Sequence, residues 1–293
     1  MARVDRPPSP QRAQLQRSGR QWPTWLRLVI GGLDASAASA SGIFRLDPRT
    51  LSLSPVGALA EPLHDAAAAP IARRVLVFGG GSTTTTDAVE SLPPGGTGRV
   101  VGHLPEPRSD LSAVSVGART YILGGYDGQS PVGSVLETSD GRRFATVAQL
   151  PTPVRYAAVA ALGGTVYAFG GELADGRDSD TVQAIDTRGQ GARVVGRLPK
   201  PTSHASAVAL GGRIYVLGGR TGGTATSRIL AFDPAGRTVS RAGRLPLAVT
   251  NAAAATSGAR AYLIGGLGPA GRPLSSVITV QLESHTPAAT AAP

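Results

Sequence analysis

The sequence predicts an all-β protein, a β-propeller of about six four-stranded blades in which the terminal blades are incomplete. Three observations predict it. An apolar run that ends in Gly-Gly occurs six times, a leucine precedes most doublets at a constant distance, and turn residues divide each repeat into four short strands. A strand-rich repeat of about 40–50 residues is typical of one propeller blade. A β-helix is the main alternative, and its coils are generally shorter.

The Gly-Gly doublets set the period of the repeat. Their first glycines are separated by 48, 45, 46, 48 and 47 residues. Because glycine adopts positive φ without steric cost, each doublet predicts a sharp change of direction at the end of a strand. The structural glycines predicted in this way are Gly31, Gly32, Gly79, Gly80, Gly124, Gly125, Gly170, Gly171, Gly218, Gly219, Gly265 and Gly266.

A leucine, usually followed by proline, lies 20 residues before the first glycine of five doublets. The segment after each doublet varies in length and composition, which indicates constant strands joined by variable loops. The strand that precedes each doublet strand is rich in alanine, and small side chains suit strands that converge on a propeller axis. We expect these inner strands at 66–69, 111–116, 157–162, 205–210 and 252–255.

The pattern of the repeat is four apolar residues, Gly-Gly, an apolar or aromatic residue before Asp-Pro, and then Leu-Pro. This pattern resembles that of the kelch family over residues 26–282. The chain is also similar to plain kelch-repeat proteins of GC-rich bacteria. Kelch blades usually carry a tryptophan in the outer strand, whereas here the nearest positions hold Leu53, Phe144 and Val239. We therefore expect the packing between blades to be aliphatic.

The repeat pattern divides the chain into three segments. We expect a basic N-terminal segment (1–24) that is disordered or misassigned, a kelch propeller (25–283) and a Pro/Ala-rich tail (284–293). The first repeat has no inner strand and the last has no outer strand. We therefore hypothesise that the start is misassigned upstream of about Trp25. The chain as written has no signal peptide or anchor, and the protein would be exported if that hypothesis holds.

Composition excludes several classes of function. The chain has no cysteine, which excludes disulfides, lipoprotein anchors, cysteine-ligated zinc and the Cys–Tyr crosslink that kelch copper oxidases need. Half of the net charge of +10 lies in residues 1–30, and no basic face with interleaved aromatics is evident, so we expect no nucleic-acid partner. No run of about 20 apolar residues predicts a transmembrane segment. We expect no cofactor.

One polar pair stands before each inner strand and is the main candidate site. The pair residues differ in identity from repeat to repeat but are always polar, which suits an asymmetric binding site at one mouth of the channel. Residues that cap strand ends would also be polar. Arg155 with Tyr156 is the best candidate to hold an anionic or sugar ligand. The two histidines fall in the second and fifth repeats, so we expect no metal. The pairs are His64-Asp65, Ser109-Asp110, Arg155-Tyr156, Ser203-His204 and Thr250-Asn251.

Loops after the doublets are the second candidate site, with solvated turns as the alternative interpretation. They contain Tyr126-Asp127-Gly128, Glu172 with Asp175 and Asp178, and Arg220-Thr221.

The sequence favours a non-catalytic, monomeric binding scaffold for a protein or glycan that is still to be identified. The alternative is a carbohydrate-active enzyme, because kelch-type sialic acid epimerases use polar channel residues for proton transfer, and Asp65, Asp110, His64 and Arg155 could do such work. A structural module in an envelope assembly is a third interpretation. The sequence carries no catalytic motif and leaves enzymatic activity open.

Overall fold

The computed structural model describes residues 28–189 and 191–282, together with the backbone of Val4 and Asp5. The chain forms six antiparallel sheets arranged as propeller blades, and each blade contains one Gly-Gly doublet. In blades 2 to 5 the strands follow the chain from the inner to the outer edge of the sheet. The prediction of a six-bladed β-propeller is confirmed.

The strand bounds repeat the register of the doublets. The inner strands of blades 2 to 6 are Ala67–Ile71, Ser112–Val116, Ala158–Leu162, Ser206–Leu210 and Ala253–Ser257. The second strands of blades 1 to 6 are Leu28–Ile30, Arg74–Phe78, Arg119–Leu123, Thr165–Phe169, Arg213–Leu217 and Arg260–Ile264. The third strands are Ala40–Leu46, Ala88–Leu92, Ser134–Thr138, Thr181–Asp186, Arg228–Asp233 and Val277–Gln281.

The outer strands complete each sheet. They are Leu53–Leu63, Arg99–His103, Ala145–Gln149, Gly191–Arg197, Thr238–Arg244 and, for blade 6, Val4–Asp5. A two-stranded ribbon, Arg220–Thr221 with Thr224–Ala225, and a short 3-10 helix, Pro269–Gly271, follow the fifth and sixth doublets. Within the described residues no helix is long and apolar enough to cross a membrane.

The terminal blades differ from the prediction in one respect. Blade 1 has three strands and no inner strand among the described residues, as expected. The expectation that blade 6 lacks an outer strand is wrong, because Val4 and Asp5 pair with Ile278 and Val277. A two-residue strand carries no repeat signal, so the repeat pattern did not indicate it. The other residues of the segments 1–24 and 284–293 lie outside the described part of the chain.

The hydrophobic core lies between blades. In the described part of the chain, buried apolar side chains form six clusters, and each cluster packs one blade against the next. The cluster between blades 6 and 1 contains Leu46, Tyr262, Ile264 and Val277, so apolar packing closes the ring. Burial of such side chains is the main favourable contribution to stability.

Packing between blades is not wholly aliphatic, contrary to the expectation. Tyr167, Phe169 and Phe232 meet between blades 4 and 5, where Phe232 lies 5.2 Å from Tyr167 and 5.4 Å from Phe169 by ring centroids. Phe78 and Phe144 meet edge to face between blades 2 and 3 at 6.4 Å. Four of these aromatics occupy second and third strands and Phe144 lies just before the outer strand of blade 3, so the absence of an outer-strand tryptophan did not predict the aromatic content of the interior.

The doublets of blades 1 to 5 anchor their blades to the segment that begins the next blade. Gly170 has φ of 60°, and a Cβ there would lie 1.9 Å from the carbonyl oxygen of Thr202. That carbonyl accepts a hydrogen bond of 2.9 Å from the N–H of Gly171. Gly80, Gly125 and Gly219 make the equivalent hydrogen bond in their own blades. The doublet therefore needs both positive φ and the absence of a side chain.

Candidate functional site at the channel mouth

The first residue of each polar pair is fixed by the doublet of its own blade. Ser109 forms an antiparallel bridge with Tyr126, and Arg155 forms one with Glu172, which are the residues directly after the doublets. Equivalent bridges join His64 to Gly81, Ser203 to Arg220 and Thr250 to Leu267. The inner and second strands thus bring the pair and the loop after the doublet to the same end of each blade. The two candidate sites of the sequence are one surface.

The second residue of each pair forms a backbone arc from blade to blade. The N–H of Asp110 donates to the carbonyl of Asp65 at 2.9 Å, and Tyr156, His204 and Asn251 each donate to the preceding member at 3.0 Å. All five residues have positive φ, between 53° and 58°. The arc connects blades 2 to 6. Blade 1 has no inner strand among the described residues and contributes no member to it.

These second residues border a cavity of about 280 Å³ at the channel mouth. Asp65, Asp110, Tyr156, His204 and Asn251 all line it. The side of the cavity formed by blade 1 is apolar and is lined by Ile30, Gly32, Leu59 and Leu63. Blades 2 to 6 therefore each contribute a polar residue beside apolar ones such as Ala66 and Ala157, whereas blade 1 contributes no polar side chain to the lining.

The structure separates the ten predicted site residues into two groups. His64 and the five second residues line the cavity, whereas Ser109, Arg155, Ser203 and Thr250 do not. The backbone of both groups makes the inter-strand and inter-blade hydrogen bonds that the capping interpretation expected. The capping and the ligand-binding interpretations are thus compatible. The backbone of these residues caps the strand ends, and their side chains are available to a ligand.

Asp65, Asp110 and Tyr156 form an acidic cluster in the cavity wall. The hydroxyl of Tyr156 donates to Oδ2 of Asp65 at 3.3 Å. Burial of the Asp110 carboxyl, with a further contribution from the charge of Asp65, raises its pKa to about 6. Burial also raises the pKa of Tyr156, and the two carboxylates act in the same direction. Asp110 and Tyr156 therefore hold their protons more strongly than the isolated side chains would.

His204 extends this wall towards blade 5. Its ring stacks on that of Tyr156 with centroids 3.9 Å apart, and its Nδ1 lies 2.7 Å from Oγ of Ser203. Burial, assisted by the charge of Arg220, lowers the pKa of His204 to about 4. At neutral pH the imidazole is therefore uncharged and presents a flat, neutral surface beside the carboxylates.

Glu172 joins the loops of blades 4 and 5 behind the wall. Its carboxylate accepts hydrogen bonds from Arg155, through Nε at 2.8 Å and through Nη2, and from Nη2 of Arg220. Arg155 also approaches Oδ2 of Asp110 at 3.6 Å, and Arg220 approaches Oδ1 of Asp178 at 3.6 Å. The sequence predicted that Arg155 holds an anionic or sugar ligand. In the structure its guanidinium already donates to Glu172.

Sequence reasoning placed Glu172 and Asp178 among loops with solvated turns as the alternative interpretation. Both side chains are buried, at 8% and 5% exposure, whereas the Asp175 side chain is 50% exposed and pairs with Arg177. The signal that could have identified Glu172 is its position directly after the doublet, opposite Arg155. The repeat register aligns those two positions in every blade.

Histidines do not form a metal site in the described part of the chain. Nδ1 of His64 lies 2.9 Å from Oγ of Ser39, and its Nε2 lies 3.9 Å from Oδ2 of Asp65. No group of three or more His, Cys, Asp or Glu side chains among the described residues has an arrangement that could hold a metal ion.

Comparison with known proteins supports the fold assignment. A family model described as Kelch motif matches residues 201–246, which extend from the mouth pair of blade 5 to its outer strand. The solved structure entitled "Structure of YjhT" superposes with a TM-score of 0.76 at 14% sequence identity and covers 90% of this chain and 97% of that chain. At that identity the likeness concerns the fold alone. A search of curated proteins finds no match.

The motif match, the six blades and the repeated doublet geometry agree with one another. The chain is a six-bladed β-propeller that carries a kelch motif in its fifth blade.

Proposed function

We propose that this propeller is a non-catalytic binding scaffold that takes a glycan at the channel mouth. The observation that carries the proposal is the convergence of five polar side chains, one from each of blades 2 to 6, on one cavity of about 280 Å³. Small-molecule sites are typically concave and combine an apolar surface with a few placed polar groups. A sugar unit offers hydroxyl groups to such an arc and an apolar ring face to the opposite wall.

The alternative ligand for such a scaffold is a protein. The shape of the site favours a glycan. The cavity admits a single side chain of a partner rather than an extended peptide. Tyrosine and histidine rings at the mouth supply flat surfaces on which sugar rings can pack. We further infer that the chain has no nucleic-acid partner, because half of its net charge lies in residues 1–30 rather than among the residues that line the cavity.

The second candidate is a sugar epimerase or mutarotase. The observation that favours it is the cluster of Asp65, Asp110 and Tyr156, in which a carboxyl with a pKa of about 6 lies beside a second carboxylate and a phenol. A group whose pKa lies near the working pH is suited to general acid–base catalysis. Such an activity is measured by following the exchange of sugar anomers by NMR in the presence of the protein.

Glycan binding is tested with a glycan array and thermal-shift measurements on wild type and two variants from one pair. Asn251→Gly removes a cavity side chain while keeping the positive φ, and Thr250→Ser alters its neighbour outside the cavity. We expect Asn251→Gly to weaken binding about tenfold, as for the loss of one well-placed hydrogen bond, and Thr250→Ser to leave it unchanged. The proposal fails if no glycan stabilises the protein or if both variants bind alike.

A further inference from the structure

Two carboxylates line the cavity, and the arginine at ion-pair distance from one of them, Arg155, also engages Glu172. The Asp110 side chain is 5% exposed and that of Asp65 is 34% exposed, and both line the cavity. Asp110 has Nη1 of Arg155 at 3.6 Å, which is beyond hydrogen-bond distance. Asp65 has the imidazole of His64 as its basic neighbour, and Nε2 of that ring lies 3.9 Å away.

The arginines near the mouth are occupied by other carboxylates. Arg155 donates twice to Glu172, and Arg220 donates to Glu172 and approaches Asp178. Oxygen atoms of Asp178 also accept from Ser203 and from the N–H of Gly222, so this carboxylate is fixed behind the wall. When all these groups are ionised, four carboxylates face two guanidinium groups. This part of the cavity wall therefore carries an excess of negative charge, on a chain whose net charge is +10.

We propose that the acidic cluster of Asp65, Asp110 and Tyr156 binds a protonated amine, so that the preferred ligands are amine-bearing sugars. This inference rests on the proposed function, because it names the chemical class of ligand for the same cavity. An ammonium group has three donors, and two carboxylate groups and a phenol oxygen can accept them. An anionic sugar would meet the same carboxylates as a repulsive surface.

The pH dependence of binding follows from the groups that face Asp110. These are Asp65 from blade 2, Arg155 and Tyr156 from blade 4, and Ser109 from its own blade. Because the pKa of Asp110 is about 6, the cluster gains negative charge as the pH rises from roughly 5 to 7. We expect the affinity for an amine to increase over that interval, while the affinity for a neutral sugar changes little.

The experiment titrates the full-length protein with four probes by calorimetry at neutral pH: glucosamine, N-acetylglucosamine, glucose and glucuronate. We expect glucosamine to bind at least about tenfold more tightly than the other three, since a hydrogen bond to a charged group contributes more than a neutral one. Equal or tighter binding of a neutral or acidic probe would overturn this inference and leave the glycan proposal standing. Binding of none of the four, together with an empty glycan array, would overturn both.

Variants separate the cluster from general surface charge. Asp65→Asn and Asp110→Asn keep the side-chain shape, and each is expected to abolish the preference for glucosamine over glucose. Asp175→Asn is the matched control, because it removes an exposed carboxylate that pairs with Arg177 outside the cavity. A preference for glucosamine that survives both cluster variants, in proteins whose melting temperatures show that they are folded, would contradict the proposal.

Discussion

Tyr156 is held in a backbone conformation that few bulky residues adopt. Of the five arc residues with positive φ, two are aspartate, one is asparagine and one is histidine, which are the residue types that tolerate this region best. Tyr156 has φ of 54°, a conformation that costs roughly 1 kcal/mol or more for such a side chain. Its hydroxyl reaches Asp65 and its ring stacks on His204. A strained position that retains a large side chain is typical of a functional one.

Asp110→Asn is expected to stabilise the protein at neutral pH. The pKa of Asp110 rises on folding to about 6 from its usual 3.8, so the folded state binds the proton more tightly than the unfolded state. The stability that this proton contributes is present below about pH 4 and is lost as the pH rises through about 6. Asparagine resembles the protonated acid, so the variant should gain about 3 kcal/mol at about pH 8 and nothing at about pH 4. Urea unfolding across this range measures the difference.

Asp127→Asn is the matched control for that measurement. The N–H groups of Ser130 and Gln129 hold the pKa of Asp127 below its usual value, so loss of this charge should lower stability at neutral pH. An Asp110→Asn variant that is destabilised under alkaline conditions, or whose effect does not change with pH, would contradict the burial that we assign to this carboxyl.

Residue identities at the mouth were predictable only in part. The fixed distance from each doublet located all ten pair residues, because the inner and second strands pair in the same register in blades 2 to 6. It did not reveal which member of a pair lines the cavity, since this depends on the positive φ of the second residue. Nor did it reveal that Glu172 engages Arg155, because that contact depends on side-chain conformation in a variable loop.

At the scale of the element, two requirements restrict the doublet to glycine. One is the local backbone conformation, and the other is the packing between blades. Gly170 needs positive φ and also lies against the Thr202 carbonyl of the next segment. Gly163, in the hairpin turn of the same blade, has the same φ of 60°, but a Cβ added there would meet no atom within 4 Å. The two glycines therefore separate the conformational requirement from the packing requirement.

Gly163→Ala and Gly170→Ala are expected to differ strongly in stability. Gly163→Ala should cost about 1 kcal/mol, which is the cost of a left-handed conformation for a residue with a Cβ. Gly170→Ala should cost more than about 3 kcal/mol, because the Cβ displaces the carbonyl that the N–H of Gly171 needs. Chemical denaturation of both variants measures these values. Equal costs would mean that φ alone accounts for glycine at the doublet.

Strand order and length were the most predictable elements, and packing partners were the least. Strand ends coincide with Gly-Gly and turn residues, whose backbone preferences are local. Aromatic packing between blades 4 and 5 involves Tyr167, Phe169 and Phe232, and the third of these is distant in sequence from the other two. Nothing in a single repeat shows that these three side chains share one interface.

At the scale of the whole molecule, stability depends on closure between blades 6 and 1. Leu46 of blade 1 packs on Tyr262, Ile264 and Val277 of blade 6, and Val4–Asp5 adds backbone pairing at the rim. The register of the repeats predicted a ring but did not indicate how it closes, because the Val4–Asp5 strand lies outside the periodic pattern.

Leu46→Ala is expected to loosen this closure selectively. Loss of a side chain that is 2% exposed should cost about 3 kcal/mol. Hydrogen exchange should increase first in blades 1 and 6, while blades 3 and 4 retain their protection. Leu136→Ala, in the cluster between blades 2 and 3, is the control and should increase exchange there instead. Uniform acceleration in both variants would show that the propeller opens as one cooperative unit.

The two sides of the channel mouth differ in polarity, because blade 1 contributes apolar residues and each of the other five blades contributes a polar one. A ligand with one apolar and one hydroxyl-rich face fits this cavity in one orientation. Its apolar face then lies on Leu59 and Leu63, and its donors point towards Asp65 and Asp110. A symmetric ring of six equivalent blades would accept such a molecule in several rotations. The irregular first blade thereby makes the two sides of the cavity chemically different in an otherwise repetitive scaffold.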